Sequence, residues 1–90
     1  MKVRASHILV QHQYEAEDIL RALQAGKSFE DMAKKFSKCP SATQGGDLGY
    51  FKRGRMDEDF EDHVFALQVG QTSSKPVRTK FGYHLIKRTA

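Results

Sequence analysis

Apolar and polar residues change their spacing several times along this 90-residue chain, and each change marks an element. Between Lys2 and Val10, the residues Val3, Ala5, His7 and Leu9 fall on one side of a strand and Ile8 and Val10 on the other. Apolar residues on both sides predict a central strand covered on two faces. From Tyr14 to Ala25 the period lengthens: Ala16, Ile19, Leu20 and Leu23 share one face of an amphipathic helix that Gly26 ends. Ser28 is placed to cap a second helix, with Asp31 three residues on, and Phe29, Met32, Ala33 and Phe36 give it an apolar edge to about Ser37. Cys39 to Gly49 is turn-rich, and Leu48 to Phe51 reads as a short strand. Asp57 caps a third helix in which Phe60, Val64 and Leu67 align before Gly70. Pro76 to Arg78 and Tyr83 to Arg88 close the chain as two strands, His84 and Ile86 alternating with Tyr83 and Leu85. Strands separated by helices and ending in a hairpin-like pair predict an α+β fold with one small, largely antiparallel sheet.

Composition narrows the class. Ninety residues hold one core, with no linker or repeat to divide them, so residues 1–90 read as a single domain. At 39% hydrophobic and 29% charged, the chain is apolar enough to fold and too mixed in sign for a disordered tail. No apolar run is long enough to span a bilayer, and the first residues do not read as a signal peptide. The excess of 15 Lys and Arg over 11 Asp and Glu is mild and dispersed. Its densest run, Lys52-Arg53-Gly54-Arg55, meets Asp57, Glu58 and Asp59 directly, which reads as a solvated surface rather than a nucleic-acid face. One cysteine makes no internal disulfide and no paired zinc spacing, so the expectation is a reducing cytoplasm with neither metal nor cofactor.

Four features carry chemical potential: His7 inside an apolar strand, Cys39 in a loop, Met56 with Phe60 at a helix start, and His84 in the last strand. Taken singly, each reads as packing: a histidine in a strand is more often a hydrogen-bonded core residue, and a lone cysteine a small buried hydrophobe. His12 and His63 have no partner pattern and read as surface residues. Gly45-Gly46-Asp47-Leu48-Gly49 is not a phosphate loop, since it lacks the lysine and puts a carboxylate where phosphate would sit. A Cys–His hydrolase stays open on residue types alone, without a local signature.

The order of motifs says more. His7-Ile8-Leu9-Val10, Phe36-Ser37-Lys38-Cys39-Pro40-Ser41, Gly46-Asp47-Leu48-Gly49-Tyr50-Phe51, Arg53-Gly54-Arg55-Met56 with Phe60-Glu61, Phe65-Ala66-Leu67, and Phe81-Gly82-Tyr83-His84-Leu85-Ile86 follow one another through almost the whole chain. In this the sequence resembles the parvulin family of peptidyl-prolyl cis-trans isomerases, of the small, non-phospho-specific kind.

The resemblance implies a four-stranded antiparallel sheet surrounded by about four helices, with His7 and His84 on neighbouring central strands and Cys39 facing them. It implies that these three are catalytic, the imidazoles setting each other's tautomers and Cys39 supplying a polarisable, partly anionic group near the substrate carbonyl without a covalent step. Leu48, Met56 and Phe60 would hold the proline ring, with Thr79 and Phe81 at the pocket's edge. The implied partners are proline-containing polypeptides, in unfolded or flexible segments, met by a monomer with no nucleic acid or membrane involved. Three departures stand out. Asp59 precedes Phe60 where family members often carry proline, and Ser73-Ser74-Lys75-Pro76 is one residue longer than the common turn. The stretch between Val10 and Leu20 has no room for the long basic loop of phospho-specific members, which implies a preference for apolar residues before proline. A peptide-binding or chaperone module with the same groove and no catalysis is the alternative from another class, and a small nucleic-acid-binding domain using Lys52, Arg53 and Arg55 beside Tyr50 and Phe51 is a further one.

Overall fold

The alternation in the first strand sets the architecture of the computed structural model, which describes residues 2–90. β1 (Val3–Val10) is covered on both faces. Its Val3 and Ala5 pack with Phe51, Phe60, Val64, Val77 and Ile86, whereas Ile8 and Val10 pack with Ala16, Ile19, Phe29, Ala33 and Leu85 on the other side. Two half-cores therefore share one strand. The first is closed by α3 (Glu58–Ala66), the second by α1 (Gln13–Gln24) and α2 (Phe29–Phe36).

β2 (Asp47–Phe51), β3 (Val77–Thr79) and β4 (Gly82–Arg88) complete a four-stranded sheet in the order β2-β1-β4-β3, every neighbouring pair antiparallel. The two strands that carry histidine are thus the central pair. Ser28 caps α2 by accepting a hydrogen bond from the Asp31 amide, and Asp57 caps α3 by accepting one from the Asp59 amide. With Asp59 in place of proline, α3 still starts at Glu58.

The structure departs from the periodicity in three places. Pro40–Gln44, inside the turn-rich stretch, forms a short 3-10 helix, so the described residues hold three α-helices and this one tight turn. Phe36 is 40% exposed rather than packed on the α2 face. α1 begins at Gln13, one residue before the spacing predicts, because His12, exposed as expected, is its N-cap, its amide donating to Glu15 Oε1 at 3.1 Å. The longer turn before β3 is absorbed alongside β4, where the Ser73 amide donates to Ile86 O at 2.7 Å and the Ile86 amide to Ser73 Oγ at 3.1 Å. No helix is long and apolar enough to cross a membrane among the described residues.

Candidate active site

In the register of the central strands His7 faces Ile86 and Leu9 faces His84, so the two histidines are diagonal neighbours on one face of the sheet. Their Nδ1 atoms lie 2.9 Å apart and their rings are nearly parallel, at 19°. Phe60, from α3, meets both rings edge-on, with centroids 5.5 Å from His7 and 5.2 Å from His84. On the far side of His84, Nε2 lies 2.7 Å from Thr79 Oγ1, which also accepts the Phe81 amide at 3.2 Å. Both imidazoles are buried, at 6% and 4% exposure.

This geometry selects the tautomers. A 2.9 Å contact between two Nδ1 atoms needs one N–H and one lone pair. If His7 held that proton, His84 Nε2–H would donate to Thr79, leaving the threonine hydroxyl proton and the lone pair of His7 Nε2 without partners. If His84 holds it, Thr79 donates to His84 Nε2 while accepting from Phe81, and His7 Nε2, which has no hydrogen-bond partner, is the one orphan. The second arrangement is preferred. Burial first, and then the neighbouring His84, push His7 down to about 4; burial lowers His84 to about 4 as well, against the opposing pull of Asp57. The pair is neutral at physiological pH.

Above the imidazoles opens a cavity of about 350 Å³, lined by His7, Cys39, Leu48, Met56, Phe60, Phe81 and His84, with Leu9 and Pro40 beside them and Lys38 and Asp57 as its charged members. All the residues singled out in the sequence gather here except Thr79, which sits behind His84 rather than in the wall. Cys39 is half-buried, and Ser37 Oγ orders its approach by accepting the Leu9 amide at 3.0 Å and the Cys39 amide at 3.4 Å. Gly46 lets the loop press onto β1: its φ is +86°, its carbonyl accepts the His7 amide at 2.9 Å, and a Cβ there would stand 2.4 Å from His7 O. A second groove of the same volume, between α1 and α2, has Glu15 and Asp18 as its only titratable members. No cluster of three His, Cys, Asp or Glu side chains suited to a metal occurs among the described residues.

Sequence reasoning passed over Glu61. It is 3% exposed, and its carboxylate accepts the amides of Gly54, Arg55 and Met56 at 2.8, 3.0 and 2.8 Å. The Gly54 amide, followed by those of Met56 and Arg55, holds this carboxyl below its ordinary value against the upward push of burial. Its place beside Phe60 in the motif is the signal that could have found it.

Comparison with known proteins agrees with the geometry. The family model described as Rotamase, PPIC-type PPIASE domain, matches residues 7–90. The chain is 51% identical over 89 residues to the foldase protein PrsA of Bacillus subtilis (strain 168), covering 98% of this chain and 30% of that protein. It superposes on the crystal structure of PrsA from Bacillus subtilis with a TM-score of 0.95 at 50% identity, over 99% of this chain and 35% of that one. The solution structure of NmPin, the parvulin of Nitrosopumilus maritimus, gives 0.87 at 47% identity, over 99% and 96% of the two chains. The chain thus spans about a third of the length of the foldases and nearly all of the archaeal parvulin. By fold, by the paired histidines of its central strands and by this match through residues 7–90, it belongs to the PPIC-type peptidyl-prolyl isomerase domain family.

Proposed function

We propose that this chain accelerates rotation about X–Pro peptide bonds in unfolded or flexible polypeptide segments, preferring apolar X. The observation that carries the reading is the buried, neutral His7–His84 pair under an apolar cavity walled by Leu48, Met56 and Phe60. Uncatalysed rotation has to break amide resonance, a barrier of roughly 18–20 kcal/mol, but no covalent bond. A site that favours the twisted amide over both planar isomers by about 4–7 kcal/mol gives roughly 10³- to 10⁵-fold acceleration. The apolar walls hold the pyrrolidine ring and strip water from a carbonyl that is less polar when twisted. Beneath it the imidazoles, their tautomers fixed by Thr79, give a floor of set polarity, and Cys39 offers a polarisable sulfur at the rim. No proton needs to move.

The preference for apolar X rests on the two-residue connection between β1 and α1 and on a cavity whose single cation, Lys38, is matched by Asp57, a poor seat for phosphate. Nucleic acid is disfavoured as partner, since Arg53 is engaged by Asp62 at 2.7 Å and lies over the Phe65 ring. In this reading the chain works as one domain and a monomer, in a reducing cytoplasm that keeps Cys39 a free thiol. Two-dimensional NMR exchange spectroscopy on an Ala-Leu-Pro-Phe peptide tests it. Cis–trans exchange peaks that appear with a catalytic amount of the protein are the expected result. Shift changes without exchange would replace the isomerase by a peptide-binding module, and equal turnover of a phosphoserine-proline peptide would remove the apolar preference.

A further inference from the structure

Glu61 does no work in the chemistry above, and its burial is costly: a carboxylate withdrawn from water has to be compensated by a counter-charge or by several donors. Here the compensation comes from three consecutive backbone amides of one loop, Gly54, Arg55 and Met56, while the nearby Arg53 guanidinium is paired with Asp62 instead. Three N–H groups converging on one anion fix that backbone far more tightly than contacts among exposed side chains could. Gly54, at φ +95°, supplies the turn that lets them converge. The third amide belongs to Met56, whose side chain lines the cavity, and the residue before Glu61 is Phe60, which lies over the two histidines. One helical turn thus provides the pocket's aromatic cover and, through the adjacent residue, the anchor of the loop that carries Met56.

We propose that Glu61 is a positioning residue for substrate: its carboxylate clamps residues 54–56 so that Met56 is held against the proline ring before the peptide arrives. This rests on the isomerase reading and goes beyond it by assigning the pocket's preorganisation to a side chain that does not touch substrate. A flexible thioether is a weak wall by itself. Held by its own amide, it meets the ring without first losing backbone freedom, so the clamp acts on binding rather than on rotation.

The test is a double-mutant cycle of Glu61→Gln and Met56→Ala, read by exchange kinetics on the Leu-Pro peptide. Glutamine keeps the shape but offers one acceptor oxygen and turns an NH₂ toward an amide. Glu61→Gln is expected to raise KM about tenfold with kcat within about twofold, and in the Met56→Ala background to change KM by less than about twofold, because the wall it positions is gone. A fall in kcat at unchanged KM, or effects that multiply across the cycle, would overturn the proposal. Hydrogen exchange on the wild-type chain decides it should the variant not fold: amides 54–56 exchanging only with global unfolding support the clamp, and exchange as fast as exposed loop amides refutes it. If the wild-type chain binds the peptide without turnover, the isomerase reading fails, and the same cycle read as Kd still decides the role of Glu61.

Discussion

Acidification addresses the histidine pair directly. Each imidazole, ordinarily near 6.5, is pushed down to about 4 in the fold, chiefly by burial. As pH drops below 6.5 the unfolded chain takes up protons that the folded chain refuses, so stability present at neutral pH is lost progressively until the folded value near 4 is reached. Between pH 7 and pH 5 the difference integrates to about 2 kcal/mol for each imidazole, on the order of 4 kcal/mol for the pair. Against the 5–15 kcal/mol or so that holds an ordinary domain together, this is a large share. Glu30, Asp47 and Glu61, whose carboxyls the fold holds below 4.5, 3.8 and 4.5, give up their contribution only as pH falls through those ordinary values. The range from about pH 7 to 5 therefore isolates the imidazoles. Urea unfolding followed by far-UV circular dichroism at steps across that range should show the midpoint falling at an unchanged denaturant slope. A second proton cannot enter without placing two N–H groups face to face across 2.9 Å, so below about pH 4 the pair should open and the fold lose cooperativity. A flat unfolding free energy from pH 7 to 5, or His7 and His84 nitrogen shifts that titrate near 6.5, would refute the argument.

Substitutions at three positions test the support of the site. Gly46→Ala forces a side chain into positive φ with its Cβ 2.4 Å from His7 O, and should cost at least about 2 kcal/mol in urea unfolding while shifting the His7 ring resonances. Thr79→Val removes the partner of His84 Nε2; kcat should fall about tenfold with KM little changed, and the imidazole nitrogen spectrum should lose its single-tautomer pattern. For Cys39, a polarisable, non-covalent role predicts that Cys39→Asp keeps most activity and Cys39→Ala loses it, whereas an inactive Asp variant together with a trapped adduct by mass spectrometry would favour covalent attack.

The order of elements was legible because burial imposes its own period: β1 is apolar on both faces and lies mid-sheet, and α1 and α3 carry apolar stripes where the spacing predicts them. Phe36 broke the pattern because it is the last residue of α2, where the helix leaves the sheet to form the cavity loop. Residue types could name His7, Cys39 and His84 but not join them, since their meeting depends on strand register between residues 77 positions apart in the case of the histidines. The family motif supplied that register. Glu61 was invisible to polarity patterns for a different reason: its partners are backbone amides, which every residue but proline has, so no side-chain signature marks the receiving loop.

On the proposed reading, where each side chain of the site is mounted follows from what bond rotation asks of it. Bond rotation needs no proton transfer, so an imidazole pair that titrated near neutrality would only make the floor's polarity drift with pH; burial against Phe60 on one face of the sheet fixes it. That requires strands, and β1 and β4 provide them, their ladder holding His7 and His84 while Thr79 from β3 orders the outer nitrogen. A wall that held the proline ring would have the opposite demand, since it would admit different prolyl segments, and the cavity sets loop residues Cys39, Met56 and Phe81 around the helix-borne Phe60 and the strand-borne Leu48. Loops alone would exact an ordering cost at every binding event. Ser37 at the Cys39 loop and Glu61 at the Met56 loop each draw backbone amides onto a side-chain oxygen, which makes those two segments stiff where they line the cavity and leaves the exposed Phe81 as the adaptable edge.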